Sequence, residues 1–184
     1  MGKLYEELNN DLIGFIEAQK LFFVGTAPLS GEGHVNVSPK GMDSFVVIDN
    51  KTVAYLDVTG SGVETISHIK ENGRLVIMFC AFEGKPLILR LHGKASVIES
   101  RDKAFADLRT HFAELPGVRS IIKLEITRIA DSCGWNVPLY QHEGSRDYYQ
   151  NYAEKLGPEG MRKGQLASNM LSIDELPGLS GPSM

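Results

Sequence analysis

Two cysteines in 184 residues, Cys80 and Cys133, are too few for a disulfide framework and form no CxxC pair. The five histidines (His34, His68, His92, His111 and His142) show no HxxxH or comparable ligand spacing, so no metal site is expected. Charge of one sign is also missing. The formal net charge is −4, and the densest basic group is the pair Arg162-Lys163, which excludes a polyanion track for nucleic acid or an anionic membrane. No apolar run approaches the roughly 18 residues that a spanning helix needs. The opening MGKLYEELNNDL lacks the apolar core of a signal peptide, and Glu6 stands where a myristoylation signal wants Ser or Thr. The expectation is a cytoplasmic protein without membrane or nucleic-acid partners.

What is present is the balance of an ordinary globular chain, 42% hydrophobic and 23% charged, at a length that suits one sizeable core. Leu4, Leu8, Leu12, Ile13, Phe15 and Ile16 recur at helical spacing, predicting an amphipathic helix that ends near Gln19. The period then shortens. Residues 21–27 (LFFVGTA), 34–38, 44–48, 52–58, 75–82, 87–98 and 121–129 read as strands, with Asp49-Asn50-Lys51 as a tight hairpin turn. Helices are predicted over residues 63–72, stopped by Asn72-Gly73, and over 100–112, capped by Ser100 with Ala104, Phe105 and Leu108 toward the core. About seven strands without regular helix crossovers predict an α+β, mainly β fold: a six- to seven-stranded antiparallel barrel with flanking helices rather than a Rossmann sheet. Composition changes at Pro138, dividing a barrel domain (1–137) from a helical C-terminal extension (138–184) packed on it, with helices over 146–156 and 160–167 and an irregular tail over 176–183.

Chemistry concentrates in three segments. In Tyr55-Leu56-Asp57-Val58-Thr59-Gly60-Ser61-Gly62-Val63-Glu64-Thr65, a strand, a glycine-bracketed hydroxyl and a helix start follow in succession. Glycines admit close backbone approach, and free N–H groups at a helix start suit a phosphate, with Ser61 and Thr65 as hydroxyl donors. The same pattern also serves as a plain turn with Ser61 or Thr59 as N-cap. In Asn36-Val37-Ser38-Pro39-Lys40-Gly41, inward Val35 and Val37 would place Asn36 and Ser38 on the other face, with the Lys40 ammonium near a strand end. Asp131-Ser132-Cys133-Gly134-Trp135-Asn136-Val137-Pro138 carries the single tryptophan, either covering a ligand or anchoring a buried corner.

With FFVGTA, NVSPKG, VAYLDVTGSGVETISHIKENGRLVIMF and LILRLHGKASVI in this order, residues 21–129 resemble the pyridoxamine 5'-phosphate oxidase-like FMN-binding split-barrel superfamily. SCGxxVP looks like a feature of an uncharacterised subgroup. The resemblance implies a homodimer with FMN in a cleft between subunits. By position, Asn36, Val37, Ser38 and Lys40 would line the ring and phosphate side, while Tyr55, Leu56 and Asp57 form the strand beside the flavin. Gly60, Ser61, Gly62 and Thr65 would hold the phosphate, and Arg90 would lie near the cofactor; Trp135, read from its own segment, would either cover the flavin or anchor a buried corner. It implies an FMN-dependent oxidoreductase on a small organic substrate, with no catalytic residue singled out. A non-catalytic flavin-binding or redox-sensing protein uses the same cleft, and relatives of this fold also hold F420 deazaflavin or haem, for which His34, His68 and His92 are available. The substrate half of the resemblance is missing. Leu87-Ile88-Leu89-Arg90 replaces the oxidases' Arg-Gln-Val-Arg, and no Arg-x-His segment stands near the C-terminus, which argues against vitamin B6 oxidation.

Overall fold

Strand β5 (Thr52–Val58) explains why the chain closes on itself, since it is buried on both faces. Val53 and Tyr55 enter the main core, while Ala54 and Leu56 enter a second cluster with Ile98, Phe112 and Ile121. A strand with two apolar faces needs cover on both sides. The computed structural model, which describes residues 2–181, supplies it by curling the sheet and laying a helix outside.

The elements run β1 (Leu4–Tyr5), α1 (Asn10–Ala18), β2 (Phe22–Thr26), β3 (Asn36–Lys40), β4 (Phe45–Asp49), β5, α2 (Glu64–Asn72), β6 (Arg74–Cys80), β7 (Ile88–Glu99), α3 (Lys103–Arg109), β8 (Val118–Ser132) and α4 (Tyr148–Ser168). Every strand pair is antiparallel, in the order β3-β2-β6-β7-β8-β5-β4, with β1 added beside β8. Strands far apart in that order meet through aromatic rings. Phe22 on β2 lies 5.1 Å from Phe45 on β4 and 5.6 Å from Tyr55, and Phe45 lies 5.1 Å from Phe79 on β6. These edge-on contacts close a barrel, yet β3 and β4 form no ladder, so the seam stays split. β3 is one edge, and Pro39 sits in it where a donor can be spared. Leu8, Leu12 and Ile16 from α1 and its approach enter the main core.

The expected architecture holds, with several local differences. Leu4 and Tyr5 form a strand against Ile129 and Ala130 rather than the start of a helix, because Asn9 caps α1 by accepting from Leu12 N at 3.0 Å. Ser100 does not cap α3; that helix starts at Lys103, Asp102 accepts from Glu99 N, and Ala104 is exposed. Val35 and Val37 face outward, 73% and 65% exposed, the reverse of the inward orientation considered above. The two expected C-terminal helices are found within α4, separated by a break at Gly157 (φ 63°) and Pro158, where the helical hydrogen-bond pattern cannot continue. Beyond it the chain is irregular but well packed, with Leu179 in the main core and Ser180 bonded to Glu99. Pro182 and Ser183, part of the expected tail, lie outside the described residues.

Gly93 marks the bulge where the β7–β8 register shifts, and a Cβ there would collide with the Glu125 carbonyl oxygen. Gly93→Ala is expected to cost about 1–3 kcal/mol, read as a lowered melting temperature with an unchanged fold by far-UV circular dichroism.

Candidate functional site

The turn between β5 and α2 is pinned at its entrance, where the Thr59 N–H and hydroxyl both donate to Gly117 O, at 2.9 and 2.8 Å. The helix begins only at Glu64, and its N-cap Val63 offers no side-chain acceptor. Neither Ser61 nor Thr59 is therefore the cap, and Ser61 reaches a cleft instead. Gly73 ends α2 in the left-handed conformation at φ 70°, as expected of a C-terminal glycine.

That cleft has a volume of about 420 Å³ and is lined by Ser38, Lys40, Leu56, Gly60, Ser61, Gly62, Thr65 and Arg119, among others. Its rim includes Met42, which with Asp43 holds a positive φ (65° and 49°) in the link from β3 to β4. Such backbone is disfavoured for residues with a Cβ and persists only where the surroundings impose it.

Beneath the cleft lies a fully buried carboxylate. Asp57 accepts from Arg119 Nε at 2.7 Å, Lys40 Nζ at 3.3 Å and Ser120 Oγ at 3.4 Å. Arg119 also donates to Gly62 O at 2.8 Å, so one guanidinium joins the buried charge to the glycine turn. Burial pushes the Asp57 carboxyl up, but Arg119 and then Lys40 outweigh it and hold the group below the ordinary carboxylate value. Two cations against one carboxylate leave a surplus positive charge beside the cleft. Glu64, on the first turn of α2, sets a carboxylate at the rim and accepts from Ile173 N at 3.3 Å.

On the β3 side, Asn36 is a hub. Its amide donates to Thr26 Oγ1 at 3.2 Å and Thr65 Oγ1 at 3.0 Å, and its oxygen accepts from Ser38 Oγ at 3.2 Å. Thr26 in turn meets His68 Nδ1 at 2.9 Å. His68 is fully buried with Nε2 unpartnered, and burial pushes its pKa down, which keeps the ring neutral.

The structure thus brings together Asn36, Ser38, Lys40, Leu56, Asp57, Gly60, Ser61, Gly62 and Thr65. It does not bring in the others. Val37 points to the outer surface, and Tyr55 packs in the core against Phe22. Arg90 donates to Ser132 Oγ at 3.0 Å on the β7–β8 ladder. Trp135 is 80% exposed beyond β8, which rules out the buried-corner role. Cys80 is buried, Cys133 is exposed, and both are free thiols. His34 pairs with Asp174 at 2.6 Å. Among the described residues no cluster of three or more His, Cys, Asp or Glu could hold a metal ion, and no helix is long and apolar enough to cross a membrane. Sequence reasoning missed Arg119 and Glu64. The available signal for Arg119 was the lone acid in the apolar run Tyr55-Leu56-Asp57-Val58, which demands a buried cation from a neighbouring strand.

The family model for pyridoxamine 5'-phosphate oxidase matches residues 10–133, about two thirds of the chain. This chain belongs to that family. A family member from Aspergillus flavus, the pyridoxamine 5'-phosphate oxidase family protein ustO, is 41% identical over 181 residues, covering 96% of this chain and 72% of that protein. Among solved structures, HupZ of Group A Streptococcus is 24% identical with a TM-score of 0.51, covering 66% of this chain and 91% of its own. A Lactobacillus delbrueckii protein grouped with the pyridoxamine 5'-phosphate oxidases is 21% identical with a TM-score of 0.52, covering 69% and 98%. These two likenesses establish the family's split-barrel fold for this chain. The family match ends at Cys133, before α4 begins.

Because the folded value of Asp57 lies below the unfolded one, this group stabilises the protein above about pH 3.9, and the contribution is lost as pH falls through the folded value. Asp57→Asn is expected to cost about 3–5 kcal/mol at pH 7, by stranding Arg119, and to flatten the acid limb of stability, measured as melting temperature from pH 7 to pH 3.

Proposed function

We propose that this chain binds FMN, with its phosphate in the cleft between Lys40 and the 59–62 turn, and acts as a flavin-dependent oxidoreductase on a small organic substrate. The observation that carries this reading is the donor set in one cleft: the Lys40 ammonium, the Ser61 and Thr65 hydroxyls and the open start of α2. Gly60 lines the cleft, and a Cβ there would meet nothing within 4 Å. This chemistry fits a phosphate monoester. Lys40 supplies a charge-assisted donor. Thr65, whose oxygen already accepts from Asn36, is left to donate its own hydrogen. Arg119 is committed to Asp57 and Gly62 O, so it shapes the turn and supplies long-range positive charge.

When bound, the flavin ring supplies the electron or hydride transfer, and the protein binds, orients and tunes it. Pyridoxamine phosphate is not the substrate in this reading. The oxidase-type residues of the long strand are replaced, and Arg90 there is engaged with Ser132. The reading also pairs two copies around two flavins, which would cover the outward Val35 and Val37. It places the protein in the cytoplasm.

Purified protein given FMN should show flavin bands near about 370 and 450 nm and quench free-flavin fluorescence. Lys40→Ala with Ser61→Ala should weaken FMN binding about 100-fold while melting stays cooperative. Glu64→Gln should tighten it several-fold by removing a like charge. Unchanged affinity in the double variant, or a haem Soret band in place of the flavin spectrum, would overturn the assignment.

A further inference from the structure

The carbonyls of the glycine turn are held from outside the cleft, and one of the groups holding them comes from the far end of the chain. Asn169, the C-cap of α4, is fully buried and donates from Nδ2 to Gly60 O at 2.9 Å. One helical turn earlier, buried Gln165 donates from Nε2 to Thr59 Oγ1 at 2.8 Å. On the barrel side, Arg119 holds Gly62 O. We propose that Gln165 and Asn169 are positioning residues for the phosphate cleft, fixing from behind the backbone turn that faces the ligand. The proposal rests on the phosphate-cleft reading above.

The physical reason is peptide geometry. A trans peptide is planar, with its C=O and N–H pointing opposite ways. When Asn169 draws the Gly60 carbonyl to its own side, the Ser61 N–H is turned to the other. Ser61 lines the cleft, whereas Asn169 does not. Among the described residues the Ser61 N–H makes no hydrogen bond within the chain, as an amide reserved for a ligand would. A turn of two glycines separated by one residue is free to populate many conformations, so orienting it in advance lowers the ordering cost of binding.

Simple packing does not explain the choice of residue. Asn169 Oδ1 is buried without a partner, a loss that an apolar side chain in the same space would avoid. What Asn adds is the donor. The asparagine is itself held, because Leu179 N donates to its carbonyl at 2.8 Å and a Cβ at Gly178 would collide with that oxygen. Gly178 O accepts from Lys70 Nζ at 2.5 Å, and Glu99 binds both Lys70 and Ser180. The segment after α4 is therefore anchored to α2 and β7, and it presents Asn169 to the turn.

The test compares FMN with riboflavin, which has the same ring and no phosphate, by fluorescence titration of wild type, Asn169→Ala and Gln165→Met. Wild type should bind FMN more tightly than riboflavin. Asn169→Ala should weaken FMN about five- to tenfold and Gln165→Met about two- to fivefold, with riboflavin affinity unchanged. Hydrogen exchange of the ligand-free proteins adds a second readout, in which amides of residues 60–63 should exchange faster in both variants while those of β7 and β8 do not. Equal weakening of both ligands, or no change in either ligand or in exchange, would overturn the positioning role. A wild type that does not distinguish FMN from riboflavin would instead overturn the phosphate cleft itself. If Asn169→Ala fails to fold, Gln165→Met still decides the matter.

Discussion

A carboxylate removed from water must find compensating charge, and Asp57 finds it on two sides. Lys40 comes from the edge strand β3, Arg119 from the long strand β8, and both cations converge on a group with no solvent exposure. The barrel must keep β3, β5 and β8 in fixed relation for this to hold, because a lost partner would strand a buried ion. The same arrangement sets the cleft. Lys40 is kept at its mouth, and Arg119 reaches on to the carbonyl of Gly62. Fold stability and the proposed anion site thus share a single ion cluster.

The surplus charge of that cluster is modest, and Glu64 at the rim offsets it further. On the phosphate reading proposed above, affinity would come largely from oriented N–H and O–H groups rather than from net charge. Oriented dipoles count only when they are held in place, which gives a purpose to the hydrogen bonds around Asn36 and behind the glycine turn.

Much of this was legible in the sequence, for identifiable reasons. Strand alternation and glycine punctuation are local signals, so the order of strands, the 59–62 turn and the Gly73 stop could be read directly. Lys40, Ser61 and Thr65 were legible because they sit at strand ends and helix starts, where the backbone context is local too. Arg119 was not, since its pairing with Asp57 spans 62 residues and depends on strand register. Val35 and Val37 show a related limit. Alternation separates two faces of a strand but does not say which one is inside, and on an edge strand either is physically acceptable. The C-terminal support from Gln165 and Asn169 left no local trace, because two amides on a polar helix look like solvated surface until the helix is docked.

Pro39 has a consequence for the company this molecule keeps. β3 is the last strand on its side of the sheet, with unpaired backbone groups facing outward next to the cleft. An edge of that kind invites a foreign strand to zip on, which would bury the opening and seed aggregation. With proline as the fourth residue of a five-residue strand, a continuous run of donors is missing, and a would-be neighbour cannot complete its ladder. The residue beside the cationic Lys40 thus acts as a guard, keeping a foreign strand from extending the sheet at this edge while leaving the cleft open to small molecules.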